Sequence, residues 1–235
     1  MSTERDQKIL SLLVQNGRVT VRELAETLYV SEPSVRRDLA RLEAKYLIKR
    51  VHGGAVLEQN GLSKTKIPFT VRELEQGDAK QRIARRAAAL VEDGQVVFLD
   101  ASTTAYAMIP YLADKKGITV ITNGVRALER LAEYEIPTVA TGGRLEPSCL
   151  ALVGEEAYAT VQNYHAAYAF FSVRGVSDDG YLTDIAPAEN HVRRHMMARA
   201  SRAVALCTKE KMGKKHFHSL CHRSELFALM VDEGE

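Results

Sequence analysis

Apolar residues recur at helical spacing from the start of the chain: Ile9, Leu12 and Leu13 predict a helix over residues 5–15, which Asn16 and Gly17 end. Thr20 followed three residues later by Glu23 is a capping box, and it opens a second helix through Leu28 with Val21, Leu24, Ala25 and Leu28 as its buried side. Tyr29 and Val30 are left as a turn. Ser31 is a good N-cap for a third helix, and Pro33 is tolerated in its first turn, where a backbone donor is not needed. In that helix Val35, Leu39 and Leu42 form an apolar stripe. The stripe turns Pro33, Arg37, Ala40 and Arg41 to the opposite side, with Ser34 and Arg36 on the flanks. Leu47, Ile48 and Val51, interleaved with Lys49, Arg50 and His52, then predict a short strand. Gly53 and Gly54 supply a tight turn, and Ala55, Val56 and Leu57 return. Three helices followed by a basic hairpin make a winged helix-turn-helix.

The pattern changes over residues 58–78, where Gln59, Asn60, Gly61, Ser63, Pro68 and Gly77 interrupt any period, so this segment reads as a connection between domains. Phe69, Val71 and Leu74 within it are apolar enough for a short ordered piece. An amphipathic helix over residues 80–92 follows. From there strands and helices alternate: strands at 96–99, 118–121 and 137–140, helices at 104–113 and 125–133. Helices at 155–162 and 188–200 and strands at 167–173, 203–207 and 226–231 continue the series. Such alternation predicts a parallel sheet with helices on its faces. The expected fold class is therefore α/β, with an N-terminal winged helix-turn-helix domain (1–57), a linker (58–78) and a larger C-terminal parallel-sheet α/β domain (79–235).

With 235 residues of which 46% are hydrophobic, the chain can build two separate cores. It contains no run of 18 apolar residues and no charged start followed by an apolar signal segment, which leaves membrane insertion and secretion without support and predicts a cytoplasmic protein. Three cysteines, Cys149, Cys207 and Cys221, fit free thiols rather than a disulfide framework. The net charge of +2 says nothing about nucleic acid, but the local balance does. Between Arg36 and His52 six bases stand against two acids, a patch able to replace counterions condensed on phosphates.

In parallel sheets ligands bind beyond the carboxyl ends of strands, and here those ends are polar. Asp100, Ala101, Ser102, Thr103 and Thr104 follow the first strand and lead into a helix, offering hydroxyls and amides at a positive helix end, a cradle for phosphate. Thr122, Asn123 and Gly124 follow the second strand, and Thr141, Gly142 and Gly143 the third, which favours a single pocket. His216, His218, Cys221 and His222 carry ligand atoms for zinc but lack the paired spacing of a zinc ribbon, so they read as a mobile polar loop and no metal is expected. Neither a serine-histidine-acid arrangement nor a phosphate-loop lysine motif occurs, and no cofactor is implied.

The run from Arg5 to Ala55 resembles the N-terminal domain of DeoR-type bacterial transcriptional regulators. The resemblance rests on Val30 with Ser31, on Arg36, Arg37, Asp38 and Leu39, and on His52, Gly53, Gly54 and Ala55. It implies that Ser31, Pro33, Ser34, Arg36, Arg37, Arg41, Lys49, Arg50, His52 and Gly53 face operator DNA. The C-terminal half is also similar to that family, whose effector domain has a fold related to sugar-phosphate isomerases. The matching pieces are Asp100 with Ser102, Thr103 and Thr104; Thr122 with Asn123; Gly142 with Gly143; Gly154; Gly175 with Gly180; Glu189; and Lys211 with Gly213. The resemblance implies a site for a phosphorylated sugar whose occupancy weakens operator binding. The chain departs from the family pattern in having Arg193 and Arg194 after Glu189, where Lys then Arg is usual, and in Ser172, Arg174, Thr208 and Met212. A guanidinium at 193 keeps anion recognition and rules out Schiff-base chemistry there. The expected protein is a repressor of a carbohydrate-metabolism operon acting as a dimer or higher homo-oligomer; the rival reading is a sugar-phosphate isomerase-like enzyme, with Asp100, Glu189 and Lys211 as its candidate groups.

Overall fold

The computed structural model describes residues 4–44, 48–57 and 69–232. The chain divides into two compact units, Met1–Glu75 and Gln76–Glu235, each with its own core.

In the first unit α1 (Glu4–Asn16), α2 (Val21–Leu28) and α3 (Glu32–Ala44) enclose Ile9, Leu13, Leu24, Val35, Leu39 and Leu42. The expected capping box is present: the Thr20 hydroxyl accepts from the Glu23 amide, and the Glu23 carboxylate accepts from the Thr20 amide at 2.7 Å. A strand the pattern did not predict, β1 (Arg18–Thr20), joins the wing strands β2 (Ile48–Val51) and β3 (Gly54–Leu57) in an antiparallel sheet of order β1-β3-β2. Three residues are too few for alternation to show. Gly54 is required by this third strand, since a Cβ there would lie 2.1 Å from the Val19 carbonyl oxygen.

The expected connection is corrected at its far end. Residues Phe69–Leu74 form a helix, α4, because Phe69 and Val71 are buried and Val71 joins the first core. The next helix, α5 (Gly77–Ala88), already begins at the tail of the expected linker. The middle of that connection, residues 58–68, lies outside the described residues.

The second unit is built on six parallel strands: β4 (Val96–Leu99), β5 (Thr119–Thr122), β6 (Thr138–Ala140), β9 (Ala166–Phe171), β12 (Ala200–Cys207) and β14 (Ala228–Val231), in the order β14-β12-β9-β4-β5-β6. Val97, Phe98 and Leu99 are all fully buried, the continuous apolar run of a strand covered on both faces. On one face Phe98, Ile121 and Ala169 pack with Ala157 and Val161 of α9 (Glu155–Gln162) and with Val192 and Met196 of α10 (Pro187–Arg199).

The helix expected at 104–113 is instead two short ones, α6 (Thr103–Tyr106) and α7 (Ile109–Leu112), interrupted where Pro110 has no amide to give. Helix α8 (Val125–Glu133) has the expected limits. Two small sheets were not legible beforehand: the hairpin β7 (Arg144–Glu146) with β8 (Ala151–Val153), and β10 (Gly175–Val176), β11 (Tyr181–Asp184) and β13 (His218–His222). The expected His/Cys loop is therefore largely a strand, whose pleat sends successive side chains to opposite faces. Burial pushes the Cys221 thiol on it up to about 12. Among the described residues no helix is long and apolar enough to cross a membrane.

Candidate functional site

On α3 the stripe Val35, Leu39, Leu42 is buried, and Pro33, Arg36, Arg37 and Ala40 are exposed with Ser34 half-buried beside them. Arg37 donates to Ser34 Oγ at 3.2 Å, and Ser34 Oγ lies 3.1 Å from Ser31 Oγ, so a chain of hydroxyls steadies the guanidinium on the open face. Arg36 pairs with Glu32 at 3.0 Å. The wing is tied to α3 by Glu43, which accepts from the Arg50 amide at 2.9 Å and its guanidinium at 2.7 Å, bonds that hold the Glu43 carboxyl below its ordinary value. Lys49 and His52 are exposed, and Gly53 turns the hairpin tip with φ of 74°.

Arg41 departs from the expected outward position. Its Nη2 donates to Asp6 at 2.5 Å and Asp38 at 2.7 Å, while Arg5 grips Asp38 through two bonds of 2.6 and 3.0 Å. Both carboxylates are buried, and buried carboxylates require such partners. The bond to Asp6, opposed by burial and supported by Asp38, holds the Arg41 pKa above its ordinary value. Arg41 thus lies at the flank of the exposed face, with its Nη2 turned inward. The partners Asp6 and Arg5 were missed because pairs 33 and 35 residues apart leave no local period. The one sequence signal was an acid, Asp38, beside the apolar stripe.

In the second unit strand order reverses at β4, whose neighbours are β5 and β9, so the crevice of a doubly wound sheet falls beyond their carboxyl ends. Asp100 follows β4 and Ser172 follows β9. Asp100 is buried, accepts from the Ser102 amide at 3.1 Å and from the Ser172 amide at 3.4 Å, and takes the Arg193 Nε at 2.8 Å. Arg193, on α10, also reaches Asp184 (2.9 Å), Asn190 Oδ1 (2.9 Å) and Glu189 (3.3 Å). Burial by itself would lower its pKa, and Asp100, Asp184 and Glu189 together raise it above the ordinary value. Arg193, expected to meet an anionic ligand, is here a buried cross-link among three carboxylates. Lys211, in a 3-10 turn after β12, donates to Ser172 Oγ at 2.8 Å. Asp100, Ser102, Glu189, Arg193 and Lys211 are therefore brought into one network, together with Asp184 and Ser172.

Other expected residues have local duties. Ser102 caps α6 by accepting from the Ala105 amide at 3.2 Å, and Thr103 is buried rather than open on a loop. Thr122 Oγ1 accepts from the Gly124 amide at 3.0 Å. Asn123 gives its Nδ2 to the Leu152 carbonyl at 3.1 Å, which leaves its buried Oδ1, like the buried Thr104 Oγ1, with no hydrogen-bond partner. Gly142 and Gly143 lead into β7; a Cβ at Gly143 would lie 2.7 Å from the Val153 carbonyl oxygen, and one at Gly175 would lie 2.3 Å from that of Lys214.

A winged helix with exposed basic groups, in a chain that also carries a doubly wound α/β unit, is the organisation of a transcription regulator with a separate sensor unit. Residues 5–60 match the DeoR-like helix-turn-helix domain and residues 75–233 the DeoR C terminal sensor domain, and the chain belongs to the DeoR family of transcriptional regulators. It is 36% identical to the HTH-type transcriptional regulator GolR of Listeria innocua, over 97% of this chain and 90% of that one. Identity to the lactose phosphotransferase system repressor of Streptococcus mutans is 30%, over 97% of this chain and 91% of that one. The solved structure of eIF2B delta from Chaetomium thermophilum shares the fold, with a TM-score of 0.51 and 15% identity over 68% of this chain and 57% of that one. The chain is a DNA-binding regulator and not an enzyme; the isomerase reading is set aside.

Proposed function

We propose that this protein represses a carbohydrate-metabolism operon and leaves its operator when a phosphorylated sugar occupies the crevice beyond β4 and β9. The observation that carries the reading is the Asp100–Ser172–Lys211 arrangement at the switch point. The reading is supported by an ammonium suited to phosphate near carboxylates suited to sugar hydroxyls, with the orphaned Asn123 Oδ1 as a further acceptor. The names of relatives such as the lactose phosphotransferase system repressor support a sugar operon as the target. A single winged module makes few base contacts, so the reading includes a homo-oligomer on paired half-sites in the cytoplasm.

The test is to titrate sugar phosphates and their parent sugars into the complex with DNA from upstream of the protein's own gene. A phosphorylated sugar is expected to release the DNA and the parent sugar to do so far more weakly; Lys211→Met should blunt the response and leave DNA affinity intact. Equal potency of sugar and sugar phosphate, or an undiminished response in Lys211→Met, would move the anion elsewhere.

A further inference from the structure

Helical rotation along α3 gives its exposed face two unlike flanks. Arg36 and Glu43 lie toward the wing, where Arg50 bonds Glu43 at 2.7 Å. Ser34 and Arg41 lie toward α1, where Arg41 bonds Asp6. A helix seated in a major groove about 12 Å wide has a phosphate backbone on each side. The wing, with Lys49, Arg50 and His52, serves one of them.

On the other flank is a recess beside the α2–α3 turn, lined among others by Arg5, Lys8, Ser11, Thr27, Tyr29 and Arg41. Its rim carries three cations and three hydroxyls. Two carboxylates, Asp6 and Asp38, are buried beneath and receive Arg5 and Arg41, so they orient the guanidiniums without facing the opening.

Tyr29 is the most telling residue of this recess. It is 94% exposed and sits at φ 54°, ψ 44°, a left-handed conformation that glycine adopts freely and a bulky residue only under strain. The turn's own bonds, from the Tyr29 and Val30 amides to the Ala25 carbonyl, use backbone alone and would survive any side chain. The ring gains almost no burial within its unit, so the strain is offset by nothing the unit itself supplies.

We infer that this recess binds the phosphodiester backbone of the DNA strand opposite the one met by the wing, with Lys8, Arg5 and Arg41 as the cations and Tyr29 packing its ring and donating its hydroxyl at the rim. The inference rests on the reading of α3 as the helix that enters DNA. It commits to a nucleic-acid backbone because the recess is continuous with that face and its accessible charge is positive.

The experiment uses the full chain and a mixed-sequence DNA duplex, since a backbone contact is independent of sequence. Tyr29→Gly is expected to raise the melting temperature, by relieving the left-handed residue, and yet to weaken duplex binding roughly threefold to tenfold, the range of one hydrogen-bonded contact. Lys8→Gln is expected to reduce the slope of log affinity against log salt by about one per bound protomer. Lys116→Gln, an equal charge change in the second unit, serves as the control and should leave the slope unchanged. Duplex affinity unaltered in Tyr29→Gly, or an equal loss of slope in Lys116→Gln, would overturn the inference. So would a change in sedimentation of Tyr29→Gly or Lys8→Gln with an unchanged slope, which would make the recess an interface between copies of the chain. A native protein that binds no duplex at any salt concentration would remove the DNA reading itself, an outcome distinct from these.

Discussion

Each unit holds a cluster of arginine and carboxylate side chains, and the two clusters are built in opposite ways. In the first unit Arg5 and Arg41 are 42% and 39% exposed while Asp6 and Asp38 are buried, so the acids anchor cations that still face solvent. In the second unit Arg193 is 5% exposed, and its three carboxylates, Asp100, Asp184 and Glu189, enclose it. The first arrangement leaves positive charge at the surface. The second hides it, so a ligand that reaches this network must exchange contacts rather than simply add them. The difference teaches that an arginine beside a strand end is not by itself an anion site; what already neutralises it decides.

The largest effect should come from breaking the enclosed cluster. Arg193→Met leaves the buried Asp100 and Asp184 and the part-buried Glu189 without their shared cation and is expected to lower stability by about 3–5 kcal/mol, read from urea unfolding followed by circular dichroism. Arg41→Met takes one cation from the buried Asp6 and Asp38 while Arg5 still holds Asp38, and should lower it by roughly 1–3 kcal/mol. Equal losses in the two variants would erase the contrast.

Next in size is Arg37→Ala on the open face of α3, which should leave stability unchanged and weaken DNA binding. The loss should differ between sequences by about 1–3 kcal/mol if the guanidinium reads a guanine edge, and be uniform if it holds a phosphate. Binding equal to the native protein at several salt concentrations would remove this face from the interface.

A smaller effect is expected of Gly53→Val at the wing tip. A branched residue at φ 74° is strained by about 1–2 kcal/mol, and the misplaced wing should lower DNA affinity without altering the second unit. Filter binding and the melting of each unit check it together.

The smallest effect concerns pH. Asn190 Oδ1 accepts from Arg193, which leaves Nδ2 to donate to His218 Nδ1 at 2.9 Å, a bond that needs the imidazole unprotonated there. Burial, with Arg194 and His191 adding and Asp184 opposing, holds the His218 pKa below its ordinary value. The unfolded chain therefore takes up this proton at higher pH than the folded one. Stability from His218 is complete above the ordinary histidine range near pH ~6.5 and falls as pH drops through it toward the folded value. Melting temperatures between neutral pH and about pH 5 should fall less in His218→Gln than in the native chain. Identical pH profiles would detach His218 from the network.

Much of this was legible in the sequence because it is local. The Thr20–Glu23 capping box, the Val35–Leu39–Leu42 stripe, the Lys49–Arg50–His52 wing and the buried strand Val96–Leu99 are set by spacings of a few residues, and the periods of helix and strand write them directly into the chain. The same rule explains why α4 was half seen: its apolar residues were visible, but the core that Val71 joins was not.

What only the tertiary structure decided is partnership across distance. Nothing near Arg41 in sequence announces Asp6, and nothing near Asp100 announces Arg193, which is 93 residues away. A side chain's charge is written in the sequence, but whether it faces DNA, a ligand or a buried counter-charge depends on which distant element folding brings against it. Inside a low-dielectric core an ion must find such a partner, and the chain's long-range packing, rather than its local periodicity, determines which one.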